Sequence, residues 1–143
     1  MKIENYDTEK KVFIIAEIGN NHEGSYTLAE EMIGKAAEAG ACAVKFQTIV
    51  PEKLVSISQK DRIEQLKRFQ LTYDEFEKLN KVAKHENILF LSTPFDIESV
   101  HFLNSIVPAF KIASGDNNFF PLIDVIAQTG KPIIMSTGLM DLP

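Results

Sequence analysis

The sequence predicts an α/β fold in which strands and helices alternate along the chain and the strands form a parallel sheet. Five short apolar stretches, each ending in polar residues, are separated by segments in which apolar side chains recur at helical spacing. Short apolar runs without period-two alternation are typical of strands that are buried on both faces. Because strand and helix alternate, the helices are expected to cover the outside of the sheet.

The first predicted strand covers about residues 12–18 and follows a loose lead-in over 1–11, which can include a short extra strand. Glu17 stands near the end of this apolar run, where a dry and unpaired carboxylate would be costly in free energy. Glu17 is therefore expected either to pair with another group or to have a functional role. A polar turn at 19–24 follows, and Ser25 can cap the helix behind it.

The later elements are predicted from the same signals. The connection at 52–71 is long and contains a predicted helix near 59–69 with a basic face. A solvated helix face is the better interpretation, and a lid over an anionic ligand is the alternative. Thr72 and Glu75 fit a capping box, and Asn87 fits a left-handed helix stop. The four further strands are predicted at 43–49, 88–93, 110–114 and 132–136.

Two architectures fit five alternating units: an open doubly wound sheet, or part of a barrel of eight strand–helix units. No Gly-x-Gly-x-x-Gly motif follows the first predicted strand, and no P-loop motif occurs in the sequence. This weakens the case for a nucleotide-binding sheet. A complete barrel takes about 250 residues, so the 143 residues here would hold about five of its eight strands.

Composition and charge narrow the classes of partner. The net charge of −5 does not suggest a nucleic acid or an anionic membrane as partner, but a local cationic pocket for an acidic small molecule remains open. No apolar run approaches the roughly 18 residues of a membrane span, and residues 1–11 lack a signal-peptide core. We expect a soluble, cytoplasmic protein. The single cysteine, Cys42, is interpreted as a small core residue.

Polar residues at the carboxyl ends of the predicted strands are the candidate site. Strand alternation puts Lys45 and Gln47 on one face, and in a barrel the carboxyl ends of all strands meet at one mouth. Lysines within apolar strands are unusual, because lysine is rarely buried unless paired. One interpretation is a structural ion pair between Lys45 and Glu17. The other is a cationic seat for a phosphate or carboxylate, with Lys45 and Lys111 as cations and hydrogen-bond donors at Gln47, Thr93, Ser114 and Ser136.

The three histidines do not suggest a metal site. His22 lies in the turn after the first predicted strand, where it can cap the turn by hydrogen bonding, and no second ligand stands at metal-binding spacing. His85 and His101 fall in helical stretches and are expected at the surface. We assign no metal ligand on this chain, and no nucleophile-elbow motif supports Ser-His-Asp catalysis.

Five motifs in order carry a family resemblance: Ala16–Gly24 (AEIGNNHEG), Ala43–Gln47 (AVKFQ), Ser92–Phe95 (STPF), Lys111–Gly115 (KIASG) and Gly130–Gly138 (GKPIIMSTG). Together they closely resemble the sialic acid synthase family, which comprises N-acetylneuraminate synthase and relatives that include spore-coat polysaccharide synthases. The resemblance covers about 16–138. It implies a TIM-type barrel, of which residues 1–143 would be the N-terminal part of the catalytic domain.

The resemblance also implies a reaction. Family members condense phosphoenolpyruvate with the open-chain aldehyde of an N-acylated hexosamine such as N-acetylmannosamine, release phosphate and form a nine-carbon 2-keto acid. Glu17 matches the strand-one glutamate near the reacting carbons and is assigned proton handling or aldehyde orientation. The positions that match the phosphoenolpyruvate-binding motifs are Lys45, Gln47, Thr93, Lys111, Ser114 and Ser136.

Other family features are expected outside this chain: later strands, a sugar-contacting segment, two metal-binding histidines for Mn²⁺ or Mg²⁺, and a C-terminal antifreeze-like domain that acts across a homodimer. We therefore expect residues 1–143 alone to be inactive. Two alternatives stay open at this point. One is a Schiff-base aldolase that uses Lys45 or Lys111 as nucleophile. The other is a non-catalytic half-barrel that binds phosphoenolpyruvate weakly or self-associates.

Overall fold

The computed structural model describes residues 1–138, and five of its seven strands correspond to the five predicted from the sequence. The strands are β1 Lys2–Ile3, β2 Tyr6–Asp7, β3 Ile15–Gly19, β4 Ala43–Thr48, β5 Leu89–Pro94, β6 Phe110–Ile112 and β7 Ile133–Met135. The helices are α1 Tyr26–Glu38, α2 Pro51–Leu54, α3 Lys60–Lys67, α4 Tyr73–His85, α5 Ile97–Leu103 and α6 Phe120–Gln128. A short 3₁₀ turn covers Ser114–Asp116.

The strands pair in parallel, as predicted. β3, β4 and β5 are hydrogen-bonded neighbours in that order, β6 pairs with β7, and β5 and β6 are in contact. In the register of the sheet, Lys45 lies opposite both Glu17 on β3 and Leu91 on β5. Sequential parallel strands with a helix between each pair form one side of a barrel-type α/β fold.

The two faces of the sheet have separate apolar clusters. On the helix side, the Phe46 ring stacks on Phe90 with 5.2 Å between centroids and meets Phe76 of α4 edge-on at 6.3 Å. On the inner side, Ala43 and Leu91 belong to a smaller cluster. Because side chains alternate along β4, Lys45 shares the inner face with Ala43. The inner face is therefore apolar at the amino ends of the strands and polar at their carboxyl ends.

The amino-terminal segment differs from the loose lead-in expected over 1–11. β1 and β2 form an antiparallel hairpin, and Ile3 is completely buried in the inner cluster with Ala43, Leu91 and Ala109. The hairpin thus covers the amino-terminal end of the inner face. Two-residue strands carry no periodic signal, which is why the sequence pattern alone did not identify the hairpin.

The first predicted strand also begins later than expected, at Ile15 instead of residue 12. Val12 is 83% exposed and Ile14 is 56% exposed, so the expectation that this run is buried on both faces was wrong at its beginning. Among residues 1–138, β3 pairs only with β4 and forms the edge of its sheet. Cys42 is buried, as predicted, and its Sγ accepts a hydrogen bond from the Ile14 backbone N–H at 3.4 Å.

Helix ends follow the predicted capping residues. The Ser25 hydroxyl accepts a hydrogen bond from the Leu28 backbone N–H, and Thr72 and Glu75 form both bonds of a capping box. Asn87 has a left-handed φ of 58°. No helix in the described part of the chain is long and apolar enough to cross a membrane.

The long connection after β4 contains two helices instead of one, because Pro51 begins α2. The basic face of α3 is partly neutralised by its neighbours. Lys67 pairs with Glu64 at 3.0 Å and with Glu52 of α2 at 3.1 Å. These exposed pairs agree with a solvated helix face, because two carboxylates already pair with the charge of Lys67.

Candidate functional site

The candidate site lies where the inner face of the sheet becomes polar, at the carboxyl ends of β3 to β7. Lys45 is at its centre. Its side chain is only 7% exposed, and its Nζ lies 3.0 Å from Glu17 Oε2 and donates to Thr93 Oγ1 at 3.2 Å. The parallel register puts Glu17 directly opposite Lys45, so the backbone pairing of β3 with β4 sets this contact.

The Lys45–Glu17 ion pair confirms the predicted contact but does not account for the burial of Lys45. Glu17 is 57% exposed, so water screens the pair and its contribution to stability is small. The ammonium group of Lys45 is buried beside a carboxylate that an incoming anion could replace. This arrangement suits ligand binding better than it suits structural stabilisation.

Lys111 is the second cation of the site. Its Nζ donates to Ser136 Oγ at 2.6 Å and to the Ile112 carbonyl at 2.7 Å. Burial lowers the pKa of Lys111, the positive charge of Lys45 lowers it further, and the negative charge of Glu17 acts in the opposite direction. The two lysines are therefore close enough to influence each other. Lys111 pairs with Ile134, which packs against the inner cluster, so Lys111 lies on the same face of the sheet as Lys45.

Gln47 follows Lys45 on the inner face and is held by the turn after β3. Its Oε1 accepts a hydrogen bond of 2.8 Å from Asn20 Nδ2. Gly19 precedes Asn20 and has a left-handed φ of 56°. A side chain at Gly19 would come within 3.1 Å of Glu17 Oε1. Glycine at this position therefore leaves room for the Glu17 carboxylate beside Lys45.

Ser114 lies in the 3₁₀ turn after β6, next to the loop that follows β7. The Cα of Gly138 faces it, since a Cβ built on Gly138 would lie 3.5 Å from Ser114 Cβ. Asn117 Nδ2 donates to the Gly138 carbonyl at 3.1 Å and ties the two loops together. Within residues 1–138, the Ser114 hydroxyl makes no hydrogen bond to another predicted site residue.

The structure thus places five of the seven predicted residues in two hydrogen-bonded groups. A sixth, Gln47, is held by a hydrogen bond from outside the predicted set. Glu17, Lys45 and Thr93 form the first group, and Lys111 and Ser136 form the second. Gln47 is held from the turn by Asn20. Ser114 lies beside the second group, at the end of the same strand as Lys111.

His22 has the turn-capping position that was predicted for it. It is fully buried, its Nδ1 accepts a hydrogen bond from the Gly24 backbone N–H at 3.1 Å, and its ring lies 5.9 Å from that of Phe46. Burial lowers the pKa of His22, while the charge of Glu75 opposes this shift. A neutral imidazole fits, because Nδ1 must be unprotonated to accept. His85 and His101 are exposed.

Two residues at the mouth were not singled out by the sequence analysis. Asp116 follows Ser114 by two residues, its Oδ2 is buried without a hydrogen-bond partner among residues 1–138, and burial raises its pKa. An acid directly after the Ser114-Gly115 turn was the available signal. The sequence predicted Asn20 only as part of the turn, and in the part of the chain that the structure describes its Oδ1 is also buried without a partner.

The arrangement of these groups is suited to binding an anion. Two ammonium groups, an amide and several hydroxyls surround one carboxylate at the carboxyl ends of the strands. Such fixed cations and donors stabilise phosphate and carboxylate groups. Among residues 1–138, no three His, Cys, Asp or Glu side chains cluster closely enough to hold a metal ion. The described residues therefore do not fit a metal site.

Comparisons with known proteins point to one family. The model described as the NeuB family matches residues 32–143. Pseudaminic acid synthase from Campylobacter jejuni is 39% identical over an alignment of 153 positions, gaps included. The alignment covers 97% of this chain and 45% of that protein. The crystal structure of N-acetylneuraminic acid (sialic acid) synthetase from Leptospira borgpetersenii, in complex with citrate, matches with a TM-score of 0.87 and 38% identity, covering 91% of this chain and 46% of that one.

The fold is shared more widely than the sequence. A truncated 3-deoxy-D-arabino-heptulosonate 7-phosphate synthase from Thermotoga maritima matches with a TM-score of 0.67 at 13% identity, covering 91% of this chain and 42% of that one. These matches confirm the predicted barrel-type α/β fold, of which the described residues form a part. The chain spans less than half the length of the relatives named here.

Proposed function

Because the chain belongs to the NeuB family, we propose that it forms the phosphoenolpyruvate-binding part of a condensing enzyme. The reaction joins phosphoenolpyruvate to the open-chain aldehyde of an N-acylated amino sugar, releases phosphate and forms a nine-carbon 2-keto sugar acid. The observation that carries the proposal is the pair of inward-facing lysines, Lys45 and Lys111, whose charges influence each other at the mouth of the sheet.

The donor substrate fits this pair because it carries both a phosphate and a carboxylate. Lys45 and Lys111 supply the two positive charges, and hydroxyl groups already bonded to them, those of Thr93 and Ser136, can turn towards a bound oxygen. Gln47 and Ser114 supply further donors at the rim. Holding the donor in this way fixes its reacting carbon in one orientation towards the acceptor.

In the proposed reaction, C3 of phosphoenolpyruvate attacks the aldehyde carbon, water adds at C2, and the bond between C2 and the phosphate oxygen breaks. Glu17 is assigned proton handling or orientation of the aldehyde, because it is the carboxylate beside Lys45 and remains 57% exposed towards the mouth. Phosphate leaves with the bonding electron pair. The cations that bound the ester oxygen also stabilise this charge.

The acceptor is proposed by class only. The relatives named above make different products, pseudaminic acid in one case and N-acetylneuraminic acid in the other. An N-acyl hexosamine aldehyde of the N-acetylmannosamine type is common to this chemistry. The proposal assigns most acceptor contacts to parts of the protein outside residues 1–143, in line with the greater length of the relatives.

The family resemblance also implies the remaining parts of the enzyme. Residues 1–143 are the N-terminal part of the TIM-type catalytic domain, with later strands and a C-terminal antifreeze-like domain elsewhere. Mn²⁺ or Mg²⁺ is held by ligands outside the described residues. The enzyme is a homodimer, it binds neither nucleic acid nor membrane, and it acts in the cytoplasm on water-soluble substrates.

The test is a condensation assay on the complete protein with phosphoenolpyruvate, N-acetylmannosamine and Mn²⁺, read by phosphate release and thiobarbiturate detection of the 2-keto acid. We expect turnover by the complete protein and little or none by residues 1–143 alone. Glu17→Ala should lower turnover by about 100-fold or more, the usual size of an acid–base contribution. Glu31→Ala, at an exposed position on α1, is the matched control. Wild-type turnover in Glu17→Ala would contradict the role of Glu17.

A second candidate function rests on the lowered pKa of Lys111, since a desolvated lysine beside another cation can act as an amine nucleophile. A Schiff-base aldolase would form an imine between Lys111 or Lys45 and pyruvate, with loss of water. Borohydride reduction in the presence of pyruvate would then attach the three-carbon unit to one lysine. If the protein is the condensing enzyme, borohydride should attach no pyruvate to either lysine. If neither reaction is observed, the result would favour a non-catalytic half-barrel that binds phosphoenolpyruvate or self-associates.

A further inference from the structure

The side-chain amides of Asn20 and Gln47 are joined by a hydrogen bond between the turn after β3 and the end of β4. An amide side chain offers an acceptor at one end and two donors at the other, and an anionic ligand can bind only to the donor end. In the structure, Asn20 Nδ2 donates to Gln47 Oε1 at 2.8 Å. The acceptor end of Gln47 is therefore occupied, and its NH₂ group is left for another partner.

We propose that Asn20 is a positioning residue, which fixes the Gln47 amide so that its NH₂ group donates to an oxygen of phosphoenolpyruvate. This inference rests on the proposed function for the identity of the ligand. It rests on geometry for the orientation of the amide. Gln47 shares the inner face with Lys45, two residues before it on β4, so a donor there lies beside the central cation.

The state of the other end of Asn20 supports a role in positioning. Asn20 Oδ1 is buried and has no hydrogen-bond partner in the described part of the chain. A buried carbonyl oxygen without a partner lowers stability, and an apolar side chain of the same size would remove that penalty. For stability, the unpartnered Oδ1 therefore offsets what the bond to Gln47 contributes. Among the described residues, the Asn20 side chain makes one hydrogen bond, the bond to Gln47 Oε1, and its benefit lies there.

The neighbouring residue provides a matched control. Asn21 follows Asn20 in the same turn, but its side chain is exposed. Asn21→Asp adds the same charge to the turn as Asn20→Asp, and Asn21→Leu makes the same change of polarity as Asn20→Leu. Neither Asn21 variant alters the Gln47 amide.

The experiment measures phosphoenolpyruvate binding by titration calorimetry and thermal unfolding for the wild type and these four variants. In Asn20→Asp the carboxylate can only accept, so the Gln47 amide turns and presents its oxygen to the ligand. We expect about 10-fold or greater weakening of binding, the effect of losing one hydrogen bond to a charged group. Asn20→Leu should weaken binding less, with a melting temperature close to that of the wild type, because losing the bond to Gln47 and removing the unpartnered Oδ1 act in opposite directions. The Asn21 variants should bind like the wild type.

A double-mutant cycle separates positioning from a general structural role. In a Gln47→Leu background, Asn20→Leu should cause no further loss of phosphoenolpyruvate affinity, because the amide that it positions is absent. Additive losses would overturn the inference. So would unchanged binding in Asn20→Leu and Asn20→Asp, a fall in melting temperature that accounts for the weaker binding, or a change confined to the KM of the acceptor sugar.

Failure of the proposed function can be told apart from failure of this inference. If the wild type binds no phosphoenolpyruvate, the proposed ligand is wrong. The orientation of the amide is then still decided by the side-chain NH₂ signals in ¹⁵N NMR spectra. Gln47→Leu should shift the Asn20 signal, and Asn20→Asp should shift the Gln47 signal, with no such shifts in Asn21→Asp. Absence of both shifts would overturn the positioning role itself.

Discussion

The charge of Lys111 depends on its surroundings. Burial and the charge of Lys45 both lower its pKa, while Glu17 only partly opposes them. The residue type and its place in an apolar strand were sufficient to predict Lys111 as a candidate site residue. Its proximity to Lys45 was not predictable in detail, because it depends on the packing of β6 beside β5.

The lowered pKa of Lys111 predicts how substrate binding changes with pH. As pH rises through that pKa, Lys111 loses its charge before an ordinary lysine would, and phosphoenolpyruvate affinity should fall. The second phosphate ionisation, near pH ~6, is complete well below this range, so the ligand does not cause the change. Titrations across the alkaline range should show this loss in the wild type and not in Lys111→Arg, because arginine stays charged. An identical alkaline loss in both proteins would contradict the prediction.

Because His22 is buried, the free energy of unfolding should decrease at acidic pH. Its pKa in the folded state is lowered by burial, so below the ordinary histidine pKa of about 6.5 the unfolded chain binds the proton that the folded chain does not. Stability that is present above about pH 6.5 is therefore lost as pH falls towards the folded pKa, at up to about 1.4 kcal/mol per pH unit for one proton.

Urea unfolding at a series of pH values between 7.5 and 5 measures this loss. His22→Gln should have a flatter pH dependence, although it is less stable at pH 7.5 by about 1–2 kcal/mol because the bond to Gly24 is altered. His85→Gln, at an exposed position, should keep the wild-type slope. Equal slopes in wild type and His22→Gln would show that His22 does not cause the acid sensitivity.

At the scale of elements, the turn after β3 is held in place by the end of α3. Gly24 has a left-handed φ of 80°, and a Cβ there would lie 2.0 Å from the carbonyl oxygen of Arg68. The turn that carries Asn20 and His22 thus packs directly on the backbone between α3 and α4. This contact, between residues more than forty positions apart, was not predictable from sequence spacing, which identified only the turn itself.

Gly24→Ala should therefore destabilise the protein more than left-handed strain alone would. Gly40 is the matched control, because its φ is 81° and a Cβ there would meet nothing within 4 Å. Gly40→Ala should cost about 1 kcal/mol for the backbone conformation. Gly24→Ala should cost roughly 3 kcal/mol or more, because it adds an overpacking term of about 1–3 kcal/mol. Urea unfolding of the two variants checks this, and equal costs would contradict the packing of the turn on Arg68.

The elements themselves were predictable to different degrees. The capping residues Ser25 and Thr72 act over three residues, so sequence alone located the starts of α1 and α4. The β1–β2 hairpin was not predicted as such, because its strands are two residues long and its buried residue, Ile3, packs on strands far away in sequence. Local signals predict local structure, whereas burial at the amino-terminal end of the sheet depends on distant partners.

Across the whole molecule, the two ends of the parallel sheet differ in polarity. Apolar side chains, with Ile3 among them, close the amino-terminal end of the inner face, and charged groups lie at the carboxyl end. Alternation along each strand was enough to predict that Lys45 and Gln47 share a face. The hydrogen bonds between neighbours, such as that of Lys111 with Ser136, needed the register of β6 with β7.

Calorimetric titration of lysine variants measures whether Lys45 and Lys111 together bind phosphoenolpyruvate. Lys45→Met and Lys111→Met each remove one charge at nearly constant size, and Lys81→Met removes an exposed charge on α4 as a control. We predict that each site variant binds phosphoenolpyruvate at least about 10-fold more weakly than the wild type, the loss of one charge-assisted contact, whereas Lys81→Met binds normally. Wild-type affinity in both site variants would contradict the account.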